Sequence, residues 1–148
     1  GDRHVVGLGG YGDFQGHKST SLDLDRKADG IFLLHTFVQE EAWTPEGDAR
    51  APVVFRYTVH YADDTTVDVP VRYGRDVANW LQRDPEDLPR AEVAWQAAAS
   101  DGQNVVLYHM LWANPKPDVA IQKLEMKTTK AGDKLGMAII AGVTAAAK

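Results

Sequence analysis

The sequence predicts an all-β fold, an antiparallel β-sandwich or jelly roll with roughly eight to ten strands. The main observation is a pair of segments, residues 53–61 and 65–71, in which hydrophobic side chains occupy every second position. A second observation is that further short apolar segments are separated by glycine, proline, aspartate and asparagine, which favour turns. Because 148 residues suit a single domain, we expect Gly1–Lys148 to form one β-sandwich domain.

The N-terminal third contains three predicted strands, at residues 3–8, 20–24 and 30–38. The last of these is apolar at nearly every position, which is typical of a strand covered on both faces. Residues 7–12 match the motif G-x-G-x-x-G, but no amphipathic helix pattern follows them as a dinucleotide site requires. We therefore interpret these glycines as a turn, and residues 40–51 as a polar loop.

The clearest local prediction is an antiparallel hairpin over residues 53–71. Its first strand places Val53, Phe55, Tyr57, Val59 and Tyr61 on one face, with Arg56, Thr58 and His60 on the other. The second strand repeats this pattern with three valines opposite Asp68 and Pro70. The valine and tyrosine face is expected to be buried, whereas the polar face is either covered by a second layer or open to solvent.

The C-terminal half begins with an irregular crossover, residues 72–82, and a proline-containing loop, residues 84–90. Residues 91–99 and 105–112 then predict strand, turn and strand around Asp101-Gly102, with Val93 and Trp95 on one face. Trp95 and Trp112 are both expected in the core. The last two strands are predicted at residues 120–127 and 136–143, the second apolar throughout and therefore central in its sheet.

Composition excludes several classes of function. The net charge of -5 and the absence of clustered lysine and arginine argue against nucleic acid as a partner. The absence of cysteine excludes disulfides, thiolate zinc sites and cysteine nucleophiles. No apolar stretch is long enough for membrane insertion by a helix. Because the chain begins with Gly1 instead of methionine, we expect a domain excised from a larger precursor, whose signal segment is not included.

Four segments together resemble the galactose-binding-like (jelly-roll) β-sandwich modules that accompany bacterial carbohydrate-active and cell-surface proteins. They are residues 32–35, 57–66, 69–75 with Trp80, and 112–117. One departure is Asp64, which stands where the hairpin turn of such modules has glycine. The resemblance implies a non-catalytic, carbohydrate-binding role and an extracytoplasmic location, which is periplasmic, secreted or at the cell surface.

Candidate ligand-binding residues follow from the chemistry of sugar sites. An aromatic ring offers an apolar surface to the C–H face of a sugar, and nearby polar side chains bond the hydroxyl groups. Trp43 is the tryptophan of the polar loop, and Trp80 follows Arg72, Tyr73 and Arg75 in the crossover. His35 and His60, on predicted strands, complete the candidate set.

Catalytic and metal sites are not predicted. The sequence has no G-x-S-x-G motif and no carboxylate pair whose spacing identifies a glycosidase. No cofactor is expected, although a structural calcium ion stays open at Asp23, Asp25, Asp29 and Gly30, whose spacing misses the EF-hand pattern. Two alternatives to a carbohydrate-binding module stay open: a structural or protein-docking sandwich without a small-molecule ligand and, third, a hydrolase domain.

Overall fold

The computed structural model describes residues 6–11, 14–15, 19–39, 52–99 and 101–146. These residues form eleven β-strands and one short helix. In chain order they are β1 (Val6–Tyr11), β2 (Phe14–Gln15), β3 (Ser19–Arg26), β4 (Gly30–Gln39), β5 (Val53–Tyr61), β6 (Thr66–Arg72), β7 (Leu81–Gln82), β8 (Glu92–Ala98), β9 (Asn104–Ala113), β10 (Ile121–Thr128), α1 (Lys130–Leu135) and β11 (Gly136–Ala146).

The strands form two antiparallel sheets, which confirms the predicted all-β sandwich. Sheet I has the order β2-β1-β11-β4-β9-β7, and β8 also pairs with β9. Sheet II has the order β3-β10-β5-β6. Eight strands remain when β2, β7 and β8 are set aside. If these eight are counted in chain order, sheet I contains the first, eighth, third and sixth of them. Sheet II contains the second, seventh, fourth and fifth, which is the strand order of a jelly roll.

The hydrophobic core lies between the two sheets. From sheet I, β4 contributes Ile31, Leu33 and Phe37, and from sheet II the alternating side chains of β5 enter the same layer. Phe55 of β5 lies edge-on to the His35 ring of β4, with ring centroids 5.2 Å apart. Burial of these apolar side chains from both sheets is the main term that holds the sandwich together.

The predicted hairpin is present as β5 and β6, with Tyr57 opposite Val69. The tyrosines of β5 are buried, as expected. Its turn has three residues: Tyr61 accepts a hydrogen bond from the Asp64 N–H at 3.1 Å, and its own N–H donates to the Thr65 carbonyl at 2.9 Å. Asp64 has a left-handed φ of 67°. A longer turn with one left-handed residue thus accommodates aspartate at this position.

The opposite face of the hairpin is polar and carries its own hydrogen bonds. Thr58 Oγ1 donates to Asp68 Oδ1 at 2.9 Å, and His60 Nε2 lies 3.0 Å from Glu125 Oε1. Thr58 and His60 are partly exposed and Asp68 is exposed. This outer face of sheet II is therefore the solvated side, and its polar groups largely bond one another.

One local prediction is wrong, and one element was not predicted. Gly9 and Gly10 lie within β1, where Gly9 pairs with Met137 of β11, although we expected a glycine-rich turn to begin at Gly9. Glycine has a low strand propensity, but ladder pairing with a neighbouring strand overrides it. Helix α1 was not predicted; Thr129 caps it by accepting a hydrogen bond from the Gly132 N–H.

The prediction that Val93 and Trp95 share a buried face is also wrong. The register of β8 against β9 shifts between these two residues, so β8 has a bulge there. Because one extra residue reverses the alternation, Val93 packs against the core and Trp95 is 51% exposed. Trp112 is partly buried against the core, close to its expected place.

Candidate functional site

The crossover that follows β6 carries four of the predicted site residues and is built around a buried carboxyl. The chain turns at Gly74, which has a φ of 86° and donates its N–H to the Val77 carbonyl at 2.7 Å. Asp76 Oδ2 accepts a hydrogen bond from the Arg72 N–H at 2.9 Å, and the residue is only 2% exposed. This side chain therefore closes the turn at the start of the crossover.

His35 joins the crossover to the core. Its Nε2 lies 2.8 Å from the Asp76 carbonyl oxygen and its Nδ1 lies 2.8 Å from the Tyr57 hydroxyl. Because a carbonyl only accepts, Nε2 carries the proton, and Nδ1 accepts from the Tyr57 hydroxyl. Burial lowers the pKa of His35 to about 4, so the ring is neutral at pH 7. Both nitrogens are thus used to hold β4, β5 and the crossover together.

A cleft of about 450 Å³ opens beside this crossover, between the edges of the two sheets. Its walls are residues 68–70 of β6 and residues 110–113 of β9, and Asp76 and Arg90 also line it. Trp112 is the aromatic side chain of the lining. Clefts of several hundred cubic ångströms with an apolar wall and a few polar groups are typical of small-molecule sites.

Asp76 is the central charged group at the cleft. Burial raises the pKa of this carboxyl, whereas the Arg72 N–H and the guanidinium groups of Arg90, Arg72 and Arg75 oppose that rise. The Arg90 N–H donates to the Arg75 carbonyl at 3.0 Å, which connects the loop before β8 to the crossover. The buried carboxyl of Asp76 is therefore stabilised in its charged form by three arginines of the crossover and of the loop before β8.

The other predicted crossover residues have structural contacts. Tyr73 is largely buried and donates its hydroxyl hydrogen bond to Gln39 Oε1 at 2.8 Å. Trp80 is partly buried; its N–H donates to the Phe37 carbonyl and its own carbonyl accepts from the Val106 N–H, at 2.9 and 2.7 Å. The backbone of Trp80 thus fills the gap where β4 and β9 separate.

The predicted histidines do not come together, because His35 lies in the core and His60 on the outer face of sheet II. His35 has no exposed surface, so a ligand could reach it only if the crossover opened. Trp43 lies outside the described residues. The structure thus brings Arg72 and Arg75 together at Asp76, and separates the two histidines.

Four residues at the cleft were missed by the sequence interpretation: Asp68, Asp76, Arg90 and Trp112. Trp112 was assigned to the core alone. Arg90 belongs to a proline-containing loop and Asp76 to an irregular crossover, where no periodicity indicates which side chains meet. A signal was available only for Trp112, which precedes the turn at residues 114–117 and therefore lies at a sheet end.

The described part of the chain contains neither a cluster of metal ligands nor a membrane-spanning helix. No three histidine, aspartate or glutamate side chains converge there on a possible metal site, at Asp23, Asp25 and Asp29 or elsewhere. Within the same residues, no helix has the length and apolar character needed to cross a membrane.

Comparison of the chain with protein-family models, with curated proteins and with solved structures finds no match.

Proposed function

We propose that this domain is a non-catalytic module, of the galactose-binding-like kind, that binds a carbohydrate in the cleft between β6 and β9. The observation that carries the proposal is the lining of that cleft, which includes Trp112, Asp76 and Arg90. The resemblance noted in the sequence adds that the parent is a bacterial extracytoplasmic protein.

The chemistry of the cleft suits a neutral, hydroxyl-rich ligand. An indole ring presents an apolar surface to the C–H face of a sugar, and a guanidinium group donates hydrogen bonds to its hydroxyl oxygens. Carboxylates accept hydrogen bonds from hydroxyl groups, and Asp76 lines the cleft, whereas the Asp68 carboxylate accepts its hydrogen bond from Thr58 on the outer face of sheet II. A lining that contains both a carboxyl and a guanidinium favours uncharged sugars over strongly anionic or cationic ligands.

The position of His35 supports binding without catalysis. A general base needs a free nitrogen within reach of the substrate, and both nitrogens of His35 are hydrogen-bonded inside the core. His60, the other predicted histidine, lies on the outer face of sheet II and contacts Glu125. The histidines that a hydrolase interpretation would use are therefore separated from each other.

Binding of the domain to an array of neutral and acidic glycans tests this proposal. We expect a neutral glycan to bind, and Trp112→Ala and Arg90→Ala each to weaken binding about tenfold or more, because each removes one contact surface. Trp95→Ala is the matched control, since that ring is exposed on the outer face of sheet I, away from the cleft. Trp43→Ala tests the tryptophan predicted from the sequence.

Thermal unfolding of each variant separates loss of binding from loss of fold. The proposal is refuted if a glycan binds the wild type and the folded Trp112→Ala and Arg90→Ala variants equally well. Loss of binding in Trp43→Ala alone would move the site to the polar loop.

Protein docking is the second candidate function, favoured by two exposed side chains on the outer face of sheet I. Trp95 is 51% exposed and Leu111 is 55% exposed. Aromatic side chains such as that of Trp95 are enriched in protein interfaces. A domain that binds no glycan on the array would leave this candidate as the better one.

A further inference from the structure

Among the residues that the structure describes, strand β8 forms an unpaired edge of sheet I. In the part of the chain that the structure describes, β8 pairs with β9 and with no other strand. The Ala99 N–H donates to the Gln103 carbonyl at 2.8 Å, on the β9 side. Because backbone groups alternate in direction along an antiparallel strand, the N–H and C=O groups of Gln96 and Ala98 point away from β9.

The second half of this edge lacks the features that usually protect an edge strand. Proline, lysine, other charges and bulges are the common means of preventing edge-to-edge pairing. Residues 93–98 contain no charged residue and no proline. The bulge affects only the start of β8, and there the Val93 N–H is already bonded to Asp87 Oδ1 at 2.8 Å. Residues 95–98 are left as a regular strand with exposed backbone groups.

The free edge is complementary to itself. An antiparallel pairing of two copies about a two-fold axis at Gln96 places the outward backbone groups of each Gln96 opposite each other. In the same register, Trp95 lies opposite the second copy's Ala97, so a large exposed ring meets a small side chain. No charged residue of this segment meets a like charge across the axis, so repulsion does not oppose the pairing.

We infer that β8 is a dimerisation edge, at which a second copy of this chain adds its own β8 and extends sheet I across a two-fold axis. The exposed backbone groups determine that the occupant is an extended strand, and the uncharged sequence with Trp95 against Ala97 identifies that strand as β8 of another copy. Because β8 belongs to sheet I, a dimer formed at its edge leaves the outer face of sheet II uncovered.

Sedimentation equilibrium over a range of concentrations tests the inference. We expect the wild-type domain to reach twice the monomer mass of 16.3 kDa as concentration rises. Gln96→Pro is expected to stay monomeric at every concentration, because proline removes the outward N–H while the ladder to β9 keeps its bonds. Gln96→Ala is the matched control and should still dimerise, since it retains the backbone N–H.

Trp95→Lys is a second variant, useful if Gln96→Pro does not fold, because it places two lysines at the interface without changing the backbone. It should also stay monomeric. A wild-type domain that is monomeric at millimolar concentration would overturn the inference. So would a folded Gln96→Pro or Trp95→Lys variant that dimerises as strongly as the wild type.

Discussion

His35 attaches the crossover to the sandwich, and both of its ring nitrogens are used in hydrogen bonds within the core. The ring bonds the Tyr57 hydroxyl on sheet II and the Asp76 carbonyl in the crossover, both at 2.8 Å. His35 thus fixes the backbone of Asp76, a residue that lines the cleft, from the side of the core. The sequence identified His35 as a candidate contact, whereas the geometry makes it a positioning residue.

The neutral state of His35 has a consequence for stability in acid. Its pKa is about 4 in the folded protein, against an ordinary value of 6.5, so the unfolded chain binds a proton before the native chain does. Stability therefore falls as pH decreases from about 6.5 to 4, by about 3 kcal/mol in total. Urea unfolding at pH 7, 5.5 and 4 measures this loss.

Two variants isolate the contribution of His35. His35→Gln should be less stable at pH 7 but should show a much smaller loss toward pH 4, because the titrating ring is gone. His60→Gln retains His35 and should therefore keep the loss assigned to that ring, while removal of the hydrogen bond that lowers the pKa of Glu125 changes the profile only at its acidic end. An identical pH dependence in His35→Gln and the wild type would contradict the assignment of this loss to His35.

At the scale of elements, helix α1 can pack closely against sheet II because Gly132 has no side chain. A Cβ atom at Gly132 would overlap the carbonyl oxygen of Val54 at the start of β5. Thr129, the N-cap of α1, also donates its hydroxyl hydrogen bond to the Val53 carbonyl. The short helix therefore owes its place to close backbone approach and capping, and a six-residue helix has little stability of its own.

Gly132→Ala tests this packing. Alanine is the better helix former by about 1 kcal/mol, so intrinsic propensity alone predicts a more stable protein. We expect the opposite, a loss of about 1–3 kcal/mol or more, because the added methyl group forces α1 away from β5. Lys130→Ala, at an exposed position of the same helix, is the control and should change the unfolding free energy by less than about 0.5 kcal/mol.

Element prediction succeeded where a periodic pattern coincided with burial, and failed where a single backbone event intervened. The alternation of β5 predicted both the strand and its buried face, because side-chain direction in a strand repeats every two residues. The bulge before Trp95 reversed that alternation in β8, and the sequence contains no residue that marks it. The exposed tryptophan that supports the dimer inference is therefore a product of the bulge.

For the whole molecule, one buried side chain connects three distant segments. Asn114, in the loop after β9, donates to the Ala28 carbonyl at 2.7 Å and accepts from the Tyr61 hydroxyl and the Lys116 N–H. Lys116 Nζ in turn lies 2.7 Å from Asp63 Oδ2 at the tip of the hairpin. That ammonium group and the Thr65 hydroxyl lower the pKa of Asp63 to about 2. These bonds tie the ends of both sheets together.

Asn114→Ala should therefore destabilise the entire sandwich. It leaves the Tyr61 hydroxyl and the Ala28 carbonyl without partners in a buried place, and we expect a loss of about 2–4 kcal/mol. Circular dichroism and tryptophan fluorescence should still report one common urea transition, since both sheets lose the same support. Asn104→Ala, which removes an exposed bond to the Arg83 carbonyl, is the matched control and should cost much less.

The sequence by itself determined the all-β class, the hairpin with its buried face, and the central place of the last strand. Each depends on local alternation or on a continuous apolar run, and both signals lie within a few residues of chain. Only the tertiary structure decided that Trp112, Asp76 and Arg90 line one cleft and that His35 and His60 lie on opposite sides of sheet II. Sheet order brings β6 and β9 to the same cleft, and that order arises from contacts between strands distant in sequence.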